Sequence, residues 1–433
     1  MTPQALADAL IDRGLDPAER EAKRSLFTQV LDAWAHARRD PPQHAWWVPG
    51  RLEVFGKHTD YGGGRALVAA ATRGFAVVAG ARTDAGVRVI DAGRGDSFEL
   101  LPSPLTAAAT RTEGLTGWRR YVDVAACRLA KNFARQELGA DIVLASDLPP
   151  AAGMSSSSAL LIAITEALGR IGGIARTPEW RQNIRSPLDA AAYYACIENG
   201  RSFAGLNGDG GVGTHGGSED HSAILNGVPR HVLGFAFVPS RALGAARVPD
   251  DWQFVVATCG VKANKTGAAR EAYNRLSADA AALLDLWNGR GAGGARAISL
   301  AAAVERPDWA ETLRAMSGPL EPRLQHFIRE DARIPQAMEA FTRGDADALA
   351  RLSRESQADA ERLLGNQIPE TIALVSAARK AGAFAACSFG AGFGGAAWAL
   401  VETRSAEHFC RKWGRDAFAC RPGPSLIELT TTK

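Results

Sequence analysis

Four consecutive serines, Ser155 to Ser158, stand between a loop of small residues, Pro149-Pro150-Ala151-Ala152-Gly153-Met154, and an apolar run that opens with Ala159-Leu160. Serine hydroxyls donate hydrogen bonds and offer oxygen to a hard cation, while glycine and alanine let a ligand come close to the backbone. The chemistry this composition suits is the holding of nucleotide phosphates. A plain structural alternative stands beside it, because serine is also a preferred helix N-cap and a serine-rich cap needs no ligand.

The elements that must position this loop can be read from the residues around it. Asp141-Ile142-Val143-Leu144-Ala145 reads as a strand, and the periodicity after Ser158 as a helix. The helix therefore begins with unpaired N–H groups and its positive dipole end toward a concave surface. Upstream, Phe27, Val30, Leu31 and Trp34 lie at helical spacing, and Arg38-Arg39-Asp40-Pro41-Pro42 ends that pattern. Strands are expected at Trp46 to Phe55, Phe75 to Ala81 and Val87 to Ile90, and a helix at Trp118 to Leu129. Further strands are expected at Phe235 to Val238 and Phe254 to Thr258. Helices are expected after them at Gly267 to Leu286, Leu300 to Ala315 with a break at Pro307, Gln325 to Thr342 and Asp345 to Leu364. The alternation is that of an α/β or α+β protein, closing on a glycine loop within Ala383 to Val401 and a strand at Ser425 to Thr430.

Composition narrows the function classes. The chain of 433 residues is longer than one hydrophobic core usually supports, so two domains are expected. A net charge of +3, with Lys and Arg scattered, does not make a nucleic-acid surface. The six cysteines form no Cys-x-x-Cys pair, which argues against a zinc site or disulfide framework and fits a reducing cytoplasm. Neither a secretory leader nor a membrane span is expected, since the first residues carry no basic stretch and no apolar run is long enough.

Two glycine motifs invite other readings. Gly390-Ala391-Gly392-Phe393-Gly394-Gly395 satisfies G-x-G-x-x-G, but the adjoining segment Ala397-Trp398-Ala399-Leu400-Val401 is as strand-like as it is helical, against a dinucleotide site. Gly260-Val261-Lys262-Ala263-Asn264-Lys265-Thr266 misses the P-loop by the glycine before Lys-Thr and reads as a polar loop.

A second segment, Pro49-Gly50-Arg51-Leu52-Glu53-Val54-Phe55-Gly56-Lys57-His58-Thr59-Asp60-Tyr61, closely resembles the galactokinase signature of the GHMP sugar-kinase family. The serine loop resembles that family's second motif and Phe389 to Gly395 its third, all in the family order. Weaker similarities at Trp118-Arg119-Arg120-Tyr121-Val122, Ala195 to Asn199, Glu271 to Asn274 and Ile368-Pro369-Glu370 extend the resemblance from about Trp46 onward. It implies an α+β, two-domain fold. A ribosomal-S5-like N-terminal domain (residues 1–240) would carry the ATP and sugar motifs, and a ferredoxin-like C-terminal domain (residues 241–433) would complete the chain.

The resemblance also implies an ATP-dependent sugar-1-kinase, with ATP as co-substrate and Mg²⁺ as cofactor. Asp220 matches the catalytic base, and Arg51 the arginine that contacts it and the transferring phosphoryl; a guanidinium there would depress the aspartate and offset developing charge. Ala152, Gly153, Met154, Ser155, Ser156, Ser157 and Ser158 match the ATP-binding loop, and Ser157 with Glu198 the metal ligands. Lys57, His58, Asp60, Gly217 and Tyr273 match sugar-contacting positions. For Asp220 the plain alternative is a helix-capping carboxylate, for Arg51 a strand-end arginine, for Glu198 a solvated helix face.

Three departures bear on the substrate. Lys57 stands where galactokinases carry a glutamate that accepts a sugar hydrogen bond, and an ammonium can only donate. Galactose remains open, as do a uronic acid such as galacturonate and a pentose such as arabinose. A catalytically silent sugar or nucleotide sensor is the alternative of a different class. Leu206 to His215 is about ten residues longer than the family connection, a lid or pocket wall on one reading and a surface insertion on the other. Ala151, Ser158 and Phe389 replace a usual Gly, Ala and Thr, and nucleotide binding is expected to survive these changes. His221 adjoins the expected base, and the role of Trp118 is open between nucleotide site and core.

Overall fold

The computed structural model describes residues 1–100, 114–133, 138–150, 152–261, 267–289, 296–414 and 416–429. Ala151 and residues 262–266 of the near P-loop lie outside the described residues. The apolar run after His44 becomes strand β1 (His44–Phe55), paired antiparallel along its length with β2 (Arg65–Ala81). Both are buried on both faces. Trp46 packs into the main core on one side, and Trp47 packs against Phe27, Val30 and Trp34 of the helix Arg20–Ala37 on the other. That two-sided burial explains why the strand reads as continuously apolar rather than alternating.

The first sheet continues through β3 (Val87–Asp91), β4 (Asp96–Leu100) and β5 (Ala140–Ser146), in the order β1-β2-β5-β3-β4. β3 and β5 run parallel, joined through β4 and the helix Trp118–Phe133. The first part of β2 pairs with β6 (His231–Ala236), which pairs in turn with β7 (Arg241–Arg247). The second sheet holds β8 (Trp252–Thr258), β9 (Ala385–Phe389), β10 (Ala396–Glu402) and β11 (Phe418–Ala419), in the order β11-β8-β10-β9. Finally β12 (Ile427–Glu428) returns to pair with β1 at Trp46 and Trp47. Residue 240 falls between the paired β6 and β7, so the first sheet takes strands from both sides of it.

β9 and β10 form an antiparallel hairpin around Gly390 to Gly395. A strand on each side leaves no helix N-terminus for a pyrophosphate, so the G-x-G-x-x-G match is a hairpin loop and not a dinucleotide site. The two sheets share one core, in which Phe254, Val256, Trp398 and Leu400 of the second pack with Val54 and Phe55 of β1. The Trp398 ring meets Phe55 edge-on at 5.7 Å, and its indole N–H donates to Val54 O over 3.2 Å. Burying an aromatic of this size at such a seam stabilises by about 3–5 kcal/mol relative to alanine. Its position fixes the end of β1, and hence Arg51, against the second sheet.

Candidate active site

The helix after the serine loop runs from Ser156 to Ile171, as its periodicity predicts. Ser155 occupies the N-cap position in a left-handed conformation (φ 57°), and its side chain makes no capping hydrogen bond. Its Oγ is buried without a hydrogen-bond partner among the described residues, in the wall of a cavity of about 470 Å³. A non-glycine residue strained into this region with an unsatisfied buried hydroxyl fits a ligand-binding loop better than a plain cap. Gly153, Ser156 and Ser157 line the same cavity. Ala152 and Met154 do not: their side chains are core residues, because the loop's turn sends them inward. Gly153 (φ 72°) and Gly390 (φ 80°) stack backbone on backbone, a Cβ at Gly390 falling 3.0 Å from Gly153 O. The third glycine motif thus buttresses the second.

Arg51 reaches this loop through a break in the strand. The β1–β2 register shifts between Pro49 and Arg51, and at Gly50 a Cβ would stand 2.7 Å from Met154 O. The glycine lets the loop close on the strand, where Arg51 N donates to Met154 O over 3.1 Å. Bulges of this kind re-aim side chains at sites. The Arg51 guanidinium then gathers four partners: Gly153 O at 2.8 Å, Asp220 Oδ1 at 2.7 Å, Glu219 Oε1 at 3.3 Å and Glu53 Oε2 at 3.3 Å. Burial alone would lower its pKa, but Asp220, Glu219 and Glu53 outweigh that and raise it, so it is a permanent cation.

Asp220 lies in the first turn of the helix Glu219–Asn226, where the dipole favours a carboxylate. Ser218 holds the cap position, so Asp220 is not the capping residue. Ser158 Oγ lies 3.3 Å from Asp220 Oδ2 and donates to Glu198 Oε2 over 2.8 Å. Glu198 is buried rather than on a solvated face, with His221 Nε2 at 3.2 Å. The histidine beside the expected base thus sits against Glu198. The hydroxyl that meets Glu198 belongs to Ser158, while Ser157 lines the outer cavity. Together the side chains of Glu198, Ser157 and Ser158 are hard oxygen donors of the kind Mg²⁺ takes when phosphates and water complete its shell. Among the described residues no group of three or more His, Cys, Asp or Glu forms a metal cage.

A second, narrower cavity adjoins the first, lined by His58, Asp60, Gly217, Glu198 and Tyr273. Both cavities are walled by Arg51, Asp220, Thr214, Gly390 and Ala391. His58 Nε2 lies 3.1 Å from Ala391 O, which can only accept, so this nitrogen donates, and Nδ1 lies 3.0 Å from the Tyr61 hydroxyl. Its ring stands 5.4 Å from that of Tyr273. Asp60 receives the N–H groups of Tyr61 and Glu219, and burial raises its pKa. Gly217 is required by space, since a Cβ there would stand 2.4 Å from Asp60 Oδ2.

Lys57 departs from the sequence expectation. It comes directly after the turn at Gly56 (φ 111°), lines neither cavity and is fully buried. Its ammonium donates to Ser356 Oγ at 3.0 Å and Cys387 Sγ at 3.2 Å, and lies 3.9 Å from Glu330. Burial pulls its pKa down, but Cys387 and Glu330 more than offset this and push it up to about 12. The lysine therefore sits as a buried charge between the sugar motif and the helices Glu321–Arg343 and Ala346–Asp359, apart from the residues that line the two cavities.

Several wall residues escaped the sequence reading. Glu53 and Arg51 are two apart on β1 and share a face, a period-2 relation that could have marked Glu53. Glu219 carries no pattern of its own; it is recruited by the chain's return to Arg51. The stretch from Leu206 to His215 is no surface insertion. Arg128, fully buried, pairs with Asp209 at 3.1 Å, Lys131 donates to Gly208 O, and Val212 and Thr214 reach the cavities. Arg120 donates to Gly211 O and keeps a buried Nε without partner among the described residues, and both it and Arg270 line the outer cavity. Trp118 is in that wall too, its indole N–H on Asp96 Oδ2 at 3.2 Å.

A phosphate-type loop and a polar pocket that share an arginine–aspartate pair define a small-molecule phosphotransferase. Comparison with known proteins makes the class specific. Residues 35–81 match the galactokinase galactose-binding signature, 120–195 the GHMP kinases N terminal domain and 337–420 the GHMP kinases C terminal family. A galactokinase of Roseiflexus sp. (strain RS-1) is 31% identical over 368 residues, 84% of each chain, and one of Homo sapiens is 27% identical over 88% of this chain and 92% of its own. The crystal structure of Lactococcus lactis galactokinase complexed with galactose superposes with a TM-score of 0.73 at 21% identity, covering 93% of this chain and 99% of that one. A mevalonate kinase gives 0.57 at 14% identity, over 88% of this chain and 99% of its own. The chain belongs to the GHMP kinase family, and it is an ATP-dependent sugar kinase of the galactokinase branch.

Proposed function

We propose that this kinase transfers the γ-phosphoryl of ATP to the anomeric hydroxyl of galactose or a close neutral relative. The observation that carries the reading is the shared wall: Arg51 and Asp220 stand between the two cavities, where donor and acceptor would meet. In this reading the outer cavity takes ATP, with Gly153 and Ser155 to Ser157 at the phosphates and Arg120 and Arg270 as further cations. The inner cavity takes the sugar against His58, Asp60, Gly217 and Tyr273. Asp220 accepts the proton of the attacking hydroxyl, and Arg51 offsets negative charge on the phosphoryl group. Mg²⁺ would be held by Glu198 with Ser157 or Ser158 and would neutralise phosphate charge. The division at residue 240 belongs to the same proposal, with β7 and β12 joining the N-terminal lobe.

Lys57 bears on the choice of sugar. A galacturonate would have to pair with an ammonium that is enclosed by Ser356, Cys387 and Glu330, and its carboxylate would face Glu53, Asp60 and Glu219. Like charges in such a site are unfavourable, which favours a neutral sugar. Release of ADP with galactose, arabinose and galacturonate, and phosphorus NMR of the product, test the proposal. Turnover on galacturonate but not galactose refutes the substrate, binding without turnover supports a sensor, and a product phosphorylated elsewhere refutes the anomeric acceptor.

A further inference from the structure

We propose that Glu53 is the specificity-determining carboxylate of the inner cavity, accepting a hydrogen bond from a donor group of the acceptor sugar. The inference rests on reading that cavity as the acceptor site and names a residue to which that reading gives no role. Glu53 is 2% exposed, and its two oxygens differ. Oε2 is held by Arg51 Nη2 at 3.3 Å, while Oε1 is buried without a hydrogen-bond partner among the described residues. A buried carboxylate oxygen with no donor costs the full desolvation of a charged acceptor unless a ligand supplies the donor. The side chain lines the inner cavity and not the outer one, so the donor it awaits belongs to the acceptor and not to the nucleotide.

The neighbours reinforce this. Next to Glu53 in that wall stand Asp60, Glu198, Glu219 and Asp220, with Arg51 as the guanidinium among them. Carboxylates accept and do not donate, so a neutral sugar presenting hydroxyl hydrogens is complementary to this wall and an anionic one is not. Burial raises the Glu53 pKa, in line with a group whose charge is incompletely matched by the protein alone. Lys57, four residues on, is committed to Ser356 and Cys387 and leaves this role to Glu53. The Oε2 contact with Arg51 restricts the carboxylate's rotation, so less freedom is lost when Oε1 gains a donor.

The test is calorimetric binding of D-galactose and its monodeoxy derivatives to wild type and Glu53→Gln, with steady-state kinetics on the same panel. Arg51 retains the glutamine's amide oxygen, which leaves an NH₂ group in place of the unpartnered acceptor. Wild type should bind one monodeoxy sugar at least about tenfold more weakly than galactose. Glu53→Gln should lose about the same factor on galactose and nothing further on that derivative, with the KM for ATP unchanged. Equal binding of galactose by variant and wild type, or an equal loss on every sugar, overturns the proposal. A fall in kcat with sugar affinity intact also overturns it, since Glu53 would then act only by positioning Arg51. Should Glu53→Gln not fold, Glu53→Asp, which withdraws the acceptor by one carbon, must give the same pattern. If wild type neither binds nor phosphorylates galactose, the acceptor-site reading and this proposal fall together, before any variant is compared.

Discussion

Replacing Lys57 by methionine separates the buried-charge role from a substrate role. Methionine keeps an unbranched stem but removes three donors, one set on Ser356 Oγ at 3.0 Å and Cys387 Sγ at 3.2 Å, and a charge 3.9 Å from Glu330. Breaking a buried ion pair from one side costs about 3–5 kcal/mol. The lower end applies, because Glu330 retains Arg333 at 2.8 Å, the Gly56 N–H at 3.0 Å and the Ser356 hydroxyl at 2.9 Å. A loss of ~3 kcal/mol, with a urea slope of ~3 kcal/mol/M for a chain this long, moves the unfolding midpoint down by ~1 M. The pH dependence has a definite sign. Lys57 is raised to about 12 from 10.5, so its contribution is complete below 10.5 and lost as pH climbs through 12. For Glu330, burial raises its pKa but Lys57 and Arg333 prevail and lower it from 4.5 to about 2, so its contribution is complete above 4.5 and lost as pH falls through 2. The stability gap between wild type and Lys57→Met should therefore be widest between these limits and close beyond them. The ratio of kcat/KM for galactose over arabinose should stay within about twofold, because the ammonium lines neither cavity. An unchanged urea midpoint together with a tenfold change in that ratio would show that Lys57 faces the sugar, and the structural reasoning would be wrong.

Other perturbations address the remaining parts of the site. Asp220→Asn should lower kcat by ~10²–10⁴ while leaving the fold intact, since Glu219 and Glu53 still hold Arg51; a rate near wild type in an ADP-release assay refutes its role as base. Arg120→Ala should raise the KM for ATP about tenfold or more with the sugar KM unchanged, as expected for one charged hydrogen bond lost from the outer cavity. Gly217→Ala should weaken galactose binding without affecting ATP binding, because the new methyl would enter the space of Asp60 Oδ2; equal sugar affinity by calorimetry counts against that packing. Chelation with EDTA should abolish turnover and added Mg²⁺ restore it, and activity that persists in EDTA removes Glu198 from a metal role.

The sequence by itself settled what local patterns can carry. The helix after the serine loop, the strands around Trp46, Ile142 and Phe254, and the break at Pro307 (helices Leu300–Val304 and Trp309–Ser317) come from periodicity and proline. The three motifs were legible as family resemblance, and comparison bears out the family. Other elements were not legible. The start of β2, Arg-Ala-Leu-Val-Ala-Ala-Ala-Thr-Arg-Gly, has no alternation, and pairing with β1 and β6 makes it a strand. β7 is exposed and glycine-containing and exists because β6 offers it an edge. The helices Pro369–Ala381 and Ala406–Trp413 cover one face of the second sheet, and that apolar surface decides them.

Within the site, residue type fixed which groups could do chemistry, but only the tertiary structure decided which ones face the cavities. Arg51, His58, Asp60 and Asp220 come together across more than 150 positions of sequence because a bulge at Gly50, a turn at Gly56 and a helix start at Glu219 aim them at one space. The same turn at Gly56 sends Lys57 the other way, to Ser356 and Cys387, some 300 positions later in the chain. A motif records order along one strand, whereas a side chain's exposure depends on what packs against it from elements the motif does not contain. For Lys57 those elements are two C-terminal helices and a strand, and their long-range contacts turn a position expected to read the sugar into a buried structural charge.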